Sequence, residues 1–200
     1  MPAKATAGVA LAVALLAAGC GSGSGSSAPH ASAAKPVNPN GKEVNPPGDI
    51  PDNQAFVRFA PPGAPFWVKV PEGWSRTGGG SSVTFAANLN SVTVEYRRAA
   101  GAVTAASARR NDVAALGRTT KRFKLESVGT VRRNAGTAVR IRYLALGKPD
   151  AVTGKARLDA AERYLFVHGG TEVVLTLAGP KGADNVDPWR TVTDSLAWKK

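Results

Sequence analysis

Residues 81–99, SSVTFAANLNSVTVEYRRA, place a large apolar side chain at every second position, twice over, with a few turn-forming residues between the two runs. Val83 and Phe85 share one face of the first run. After a turn around Asn88 to Asn90, Val92, Val94 and Tyr96 share one face of the second, against Thr93, Glu95 and Arg97. A two-residue period is that of an extended strand, and so short a connection forces an antiparallel hairpin. A chain organised on such runs must bury one side of a sheet, and the rest of the sequence shows what covers it.

The same period recurs. FWVKVPEGW sets Phe66, Val68 and Val70 against Trp67 and Lys69, then stops at Pro71 and turns at Gly73. Further strands are expected around Phe123–Val131, Val139–Leu146 and Ala156–Val167, and TEVVLTLAG groups Val173, Leu175 and Leu177. Two segments read as helices. The first runs from Thr104, a good N-cap, to about Leu116, with Gly117 just past its end. The second starts at VDPW, where Asp187 caps and Pro188 suits the first helical position, and it gathers Trp189, Val192 and Leu196 on one face. Strands, helix, strands, helix, with close connections and no strict strand–helix alternation, describe an α+β domain over residues 55–200: an antiparallel sheet flanked by helices. Some 145 residues are enough for one core.

Ahead of that domain the composition changes. From Gly21 to Asn53 the chain is dominated by Gly, Ser, Ala, Pro and Asn, including GSGSGSS and NPPGDIPDN, which reads as a disordered linker over residues 20–54 with a reach of roughly 30 Å. His30 lies in it with no metal-ligating neighbours. Further upstream, Lys4 precedes the uncharged run Gly8 to Ala18. That run is about half the length of a bilayer span and has the character of an export signal, residues 1–19. Cys20, the only cysteine, follows the small residues Ala17, Ala18 and Gly19 directly.

LLAAGC resembles the lipobox of bacterial lipoproteins. The resemblance implies that the thiol of Cys20 is alkylated with diacylglycerol, that the signal is removed before it, and that acyl chains such as palmitate anchor the mature chain at the extracytoplasmic face of the cell membrane. Two or three such chains hold a protein durably where one does not. With a single cysteine there is no internal disulfide, and the domain must rely on its core.

VKVPEGW, a following hairpin, a helix, long strands, VVLTLAGP and a closing helix ending TDSLAW are together similar to exported lipoproteins of the PsbP-like α/β/α sandwich, over about Phe56 to Trp198. That likeness implies proteins that bind or assist partners and have no shared catalytic centre.

Several residues invite a chemical reading. TGGGSS at 77–82 has the glycines of a phosphate cradle, but a strand and not a helix N-terminus follows, so a hairpin loop is expected. His168 is the one histidine of the folded part and sits at a strand end before Gly169 and Gly170; a hydrolase would need it as proton carrier. Asp159 and Glu162 are the candidates for a carboxylate pair, although RLDAAERYLF reads more simply as a strand with ion pairs. No acidic cluster has calcium-loop spacing. The expectation is no enzyme, no metal and no cofactor.

Charge is the remaining signal. Twenty-six basic side chains face fourteen acidic ones, and sixteen of the former against five of the latter lie between Arg97 and Arg163. The candidate basic surface comprises Arg97, Arg98, Arg109, Arg110, Lys121, Arg122, Lys124, Arg132, Arg133, Arg140 and Arg142, with Arg140 and Arg142 on one face of their strand. Such a surface is either a solvated face that aids solubility or one that selects anionic partners. Outside the membrane these are anionic lipids, envelope polymers or an envelope protein. Nucleic acid is excluded by location and by the absence of aromatic residues interleaved with the basic runs. The expected role is a non-enzymatic binding or assembly module; the alternatives are a carrier or sensor of a small hydrophobic ligand between sheet and helices, and a hydrolase.

Overall fold

Seven strands form one antiparallel sheet in the order β3-β4-β5-β9-β8-β7-β6, and a second sheet, β1-β2-β10, is also antiparallel. The computed structural model describes residues 47–149 and 154–199. The strands are β1 Phe56–Phe59, β2 Phe66–Pro71, β3 Ser75–Gly79, β4 Ser82–Ala87, β5 Asn90–Arg98, β6 Lys124–Arg133, β7 Gly136–Leu146, β8 Leu158–His168, β9 Thr171–Pro180 and β10 Ala197–Trp198. Helices α1 Ala105–Ala108 and α2 Ala114–Thr119 are joined by the π-helical turn Arg109–Val113, and α3 spans Val186–Asp194.

The large sheet is covered on both faces, and each face has its own core. Val83, Val92, Val94, Tyr164, Phe166, Val173, Leu175 and Leu177 pack under β2 and α3, whose Phe66, Val68, Val70 and Val192 are, with Leu196 just after α3, almost fully buried. Val139, Ile141, Tyr143, Leu165 and Val174 pack under the α1–α2 stretch, where Ala108 is buried completely. A side chain of Phe or Leu size contributes about 1.5 to 3 kcal/mol when so buried. The central strand β9 feeds both layers, which is why its apolar run is nearly continuous. The strand Phe66–Pro71 does not enter the large sheet. It lies across it, flanked by β1 and β10.

Local chemistry explains the connections. Asn88 (φ 46°) and Leu89 (φ 72°) form the two-residue turn between β4 and β5, both in the left-handed region that a type I′ hairpin demands. Thr104 caps α1: its hydroxyl accepts from the Ser107 amide at 3.1 Å, while the Ser107 hydroxyl accepts from the Thr104 amide at 2.9 Å. The expected stop at Gly117 does not occur. Gly117 lies inside α2, and the helical path ends at Thr120, which turns extended before Arg122 takes a positive φ of 54°.

Two further boundaries are corrected. Asp187 lies in the first turn of α3 and Asn185 holds the N-cap position, but the Asn185 side chain makes no cap there because it is engaged elsewhere. Its amide nitrogen donates to the Gly48 carbonyl (3.0 Å) and to Asn90 (2.8 Å), and its oxygen accepts from the Ile50 amide (2.8 Å). Residues 48–50 are therefore part of the fold, with Ile50 4% exposed, and the linker expected to reach residue 54 gives way to structure by residue 48. Cys20 and the signal at residues 1–19 lie outside the described residues.

Candidate functional site

Arg140 and Arg142 project from β7 on the face that carries α3, opposite Val139, Ile141 and Tyr143, as their spacing predicts. Across the ladder Arg140 pairs with Tyr164 and Arg142 with Glu162, both on β8. The wall facing them is α3, with Trp189 and Arg190, and the loop that follows β9, with Lys181. Between floor and wall runs a groove of about 570 Å³. Its cations are Arg133, Arg140, Arg142, Lys181 and Arg190; its acids are Glu126 and Glu162.

A polar network fixes the floor. Tyr164 donates its hydroxyl to Glu162 at 2.5 Å, and the Arg133 guanidinium donates to that hydroxyl at 3.1 Å while lying over the ring at 5.2 Å. Arg133 also donates to Thr193 on α3 (3.0 Å) and pairs with Asp194 (3.6 Å), which Arg190 meets at 3.3 Å. Glu162 is shared by Arg140 (3.6 Å) and Arg142 (3.2 Å), and Glu126 reaches Arg142 only at 3.9 Å. Burial raises the Tyr164 phenol above its ordinary value, reinforced by its hydrogen bond to the Glu162 carboxylate. Each guanidinium carries five N–H donors, so a single shared carboxylate leaves most of those on Arg140 and Arg142 available. The indole N–H of Trp189 is buried with no acceptor among the described residues.

The remaining candidate cations do not join this surface. Arg97 sits on the opposite face of the sheet, held by Glu172 at 2.7 and 2.9 Å and by Asp112 of the π-helical turn at 3.5 Å. Arg109 reaches the Val128 carbonyl at 3.4 Å, and Arg110 is exposed on the same turn. Arg98 and Arg132 are exposed strand residues, and Lys121, Arg122 and Lys124 are exposed where α2 leads into β6. The eleven residues thus divide among the two faces of the sheet, the π-helical turn and the connection from α2 to β6.

Other sequence candidates come apart as well. Asp159 and Glu162 lie on opposite faces of β8, Asp159 against Arg157 at 3.1 Å, so they form no carboxylate pair. Burial raises the Asp159 carboxyl, and Arg157 opposes that shift. His168 ends β8 at the Gly169–Gly170 turn and packs on Trp198, ring centres 5.1 Å apart. Ser195 lines the same cleft, but its hydroxyl donates to the Val192 carbonyl and accepts from the Lys69 amide. TGGGSS spans the end of β3, a turn at Gly80 and the start of β4, with Gly78 at φ 82°. No three His, Cys, Asp or Glu side chains among the described residues converge to hold a metal ion. The space between the α1–α2 stretch and the sheet is a cleft of about 680 Å³ in which the charged Arg97, Asp112, Arg163 and Glu172 stand beside the apolar Ala102, Val103, Ala115 and Leu116.

Sequence reasoning found Arg133, Arg140 and Arg142 but not what assembles them. Tyr164, Glu162, Trp189 and Arg190 become neighbours only through the register of β7 with β8 and the packing of α3. The alternation of Arg140 with Arg142, continued onto Glu162 and Tyr164, was the one signal that pointed there.

No protein-family model matches the chain, and no curated protein matches it. Among solved structures it is similar to the Saccharomyces cerevisiae Ran-binding protein Mog1p, 14% identical over 73% of this chain and 96% of that one, with a TM-score of 0.51. It is similar also to the cyanobacterial PsbP (CyanoP) of Synechocystis sp., 13% identical over 80% of this chain and 99% of that one, again with a TM-score of 0.51. A Bacteroides thetaiotaomicron protein is 17% identical over 72% of this chain, with a TM-score of 0.47; the chain spans about half, 48%, of its length. The described domain is a mixed α+β unit with a PsbP-like fold.

Proposed function

We propose that this chain is an exported lipoprotein whose PsbP-like domain is a non-enzymatic binding module. It is tied through Cys20 to the extracytoplasmic face of the cell membrane and takes an anionic envelope partner into the groove between α3 and the large sheet. The observation that carries the reading is the groove's lining of five cations against two acids, with Arg140 and Arg142 fixed side by side on a strand. Strand-borne guanidiniums are pre-positioned, and their planar donor forks match carboxylate and phosphate groups.

Two things support the non-catalytic part. One fold neighbour is named for binding a protein, Ran. Within this chain, the Ser195 hydroxyl, which shares a cleft with His168, is committed to backbone groups. The lipid anchor rests on LLAAGC and the export signal ahead of it, and no helix among the described residues is long and apolar enough to cross a membrane.

The test is photo-crosslinking in intact cells from a reactive residue placed at Arg190, compared with the same protein carrying Arg140→Gln and Arg142→Gln. Capture of an acidic envelope component that disappears in the double variant is the expected result. An unchanged capture profile rejects the groove. The intact mass of the native protein checks the anchor separately, since a bare thiol on a chain that keeps residues 1–19 rejects it.

A further inference from the structure

The carbonyl of Gly48 accepts from Asn90 at 2.8 Å and from Asn185 at 3.0 Å, so the chain coming from Cys20 joins the domain at one end of the large sheet. Backbone hydrogen bonds collect several connections at that end. Leu146 donates to Lys121 (2.8 Å), Gly147 to Arg157 (2.8 Å) and Lys181 to Leu158 (2.9 Å), and the Arg157 guanidinium donates to the Leu89 carbonyl at 2.8 Å. The residues leading from α2 into β6, the ends of β7 and β9, the start of β8 and the β4–β5 turn therefore make one rim.

That rim is cationic on its β6–β7–β8 side. Arg118, Lys121, Arg122, Lys124, Lys148 and Lys155 are all exposed there, and the stretch 118–124, RTTKRFK, contains four cations and no acid. Arg122 also takes a positive φ of 54°, a left-handed conformation in which Gly or Asn is cheaper by about 1 kcal/mol, so a basic side chain is kept on the turn against backbone preference.

We infer that the rim formed by Arg118, Lys121, Arg122, Lys124 and Lys148, at the end where the Cys20 segment joins the fold, docks on the anionic surface of the bilayer that carries the lipid anchor. The inference rests on the anchoring through Cys20 proposed above. Only twenty-six residues separate Cys20 from Pro47. An anchor there confines this end close to the lipid, and each Lys or Arg near an anionic leaflet strengthens partitioning roughly fivefold. Several charges on one rim act together, whereas the exposed Arg98 and Arg132, toward the other end of the sheet, are not drawn to the same plane. Docking in this attitude sets the long axis of the strands upright and leaves the Gly169–Gly170 and Asn134–Ala135 turns pointing away from the membrane.

The test uses the chain from residue 20 onward with Cys20→Ser, so that no lipid is attached, and vesicles of phosphatidylcholine with or without phosphatidylglycerol. Co-sedimentation with the anionic vesicles at low salt, lost at high salt, is expected. Lys121→Gln, Arg122→Gln, Lys124→Gln and Lys148→Gln together should weaken it by roughly several hundredfold, whereas Arg98→Gln with Arg132→Gln should leave it nearly unchanged. Thermal unfolding of both variants verifies that the exposed substitutions keep the fold. Equal binding by the rim variant and the parent overturns the inference, as does equal loss in the two variants, equal binding to neutral vesicles, or retention only by a soluble envelope polyanion. Because no lipid is attached, failure here leaves the Cys20 anchor standing, and a failed anchor is recognised by the intact mass instead.

Discussion

Asn185 donates its side-chain amide to the side-chain oxygen of Asn90 at 2.8 Å, and both residues donate to the carbonyl of Gly48. Asn90 is 4% and Asn185 3% exposed, and the two lie 95 residues apart. Through them the start of α3, the β4–β5 turn and the incoming segment are held at one point.

Asn185→Ala removes three buried hydrogen bonds and leaves the Ile50 amide and the Asn90 oxygen unsatisfied. A loss of about 2 to 4 kcal/mol is expected, measured by chemical denaturation. Proteolysis should then cut near residues 48–54 faster than in the parent. A change below about 0.5 kcal/mol would show that the clamp adds nothing to the fold.

Arg97 and Arg142 both sit in ion pairs and are equally exposed, 49% and 48%, yet their partners differ. Glu172 is 6% exposed at the side chain and relies on Arg97 for both oxygens, whereas Glu162 retains Arg140 and Tyr164 if Arg142 is removed. Arg97→Ala should therefore destabilise by about 2 to 3 kcal/mol, because a buried carboxylate is left without its cation. Arg142→Ala should stay within about 1 kcal/mol. Melting curves showing the reverse order would contradict this arrangement.

Glu162→Gln takes away the charge that Arg140 and Arg142 share and weakens the acceptor of the Tyr164 hydroxyl. The groove becomes more cationic, so the variant should leave an immobilised polyanion at higher salt than the parent, at a stability loss of about 1 to 2 kcal/mol. Arg140→Gln with Arg142→Gln should leave earlier. Co-elution of all three proteins would mean that the groove does not meet the anion.

Burial raises the phenols of Tyr143 and Tyr164 above 10.0, opposed at Tyr143 by nearby Arg163 and reinforced at Tyr164 by Glu162. In the unfolded chain these phenols ionise first, so between pH 10 and the raised folded values the native state binds more protons. Their contribution to stability is complete below pH 10 and declines as the pH climbs through that window. Ultraviolet titration should show late-ionising phenols that disappear singly in Tyr143→Phe and Tyr164→Phe. Normal titration of every tyrosine in the folded protein would refute the burial.

The sheet was legible wherever a strand has one dry and one wet face. β4 and β5 alternate cleanly, and so does β7 from Val139 to Tyr143, so their faces, their hairpins and the shared side of Arg140 and Arg142 follow from period alone. Strand β3 lacks that signal: SRTGG is exposed throughout and is extended only because β4 pairs with it. The start of the helix at Thr104 was readable from its cap, but its end was not, since Gly117 is content in a helical conformation and the break is made further on, at Thr120 and Arg122. Likewise the Gly- and Pro-rich composition around Gly48 hides its place in the fold, because the partners that order it lie 42 and 137 residues away. The groove depends on the same kind of distance. Period reveals the face of each strand but not which helix will lie beside it.

The attachment at Gly48 has a mechanical side. Tension drawn along the incoming chain would arrive first at two side-chain amides gripping one carbonyl, and only afterwards at the β1–β2 ladder that begins at Phe56. The clamp is loaded before the ladder, so a pull at the leading end can peel residues 48–54 away as a short slack while the ten-strand body stays intact. The domain thereby carries its own strain relief, and its holding strength is set by hydrogen bonds of two asparagines instead of by the sheet.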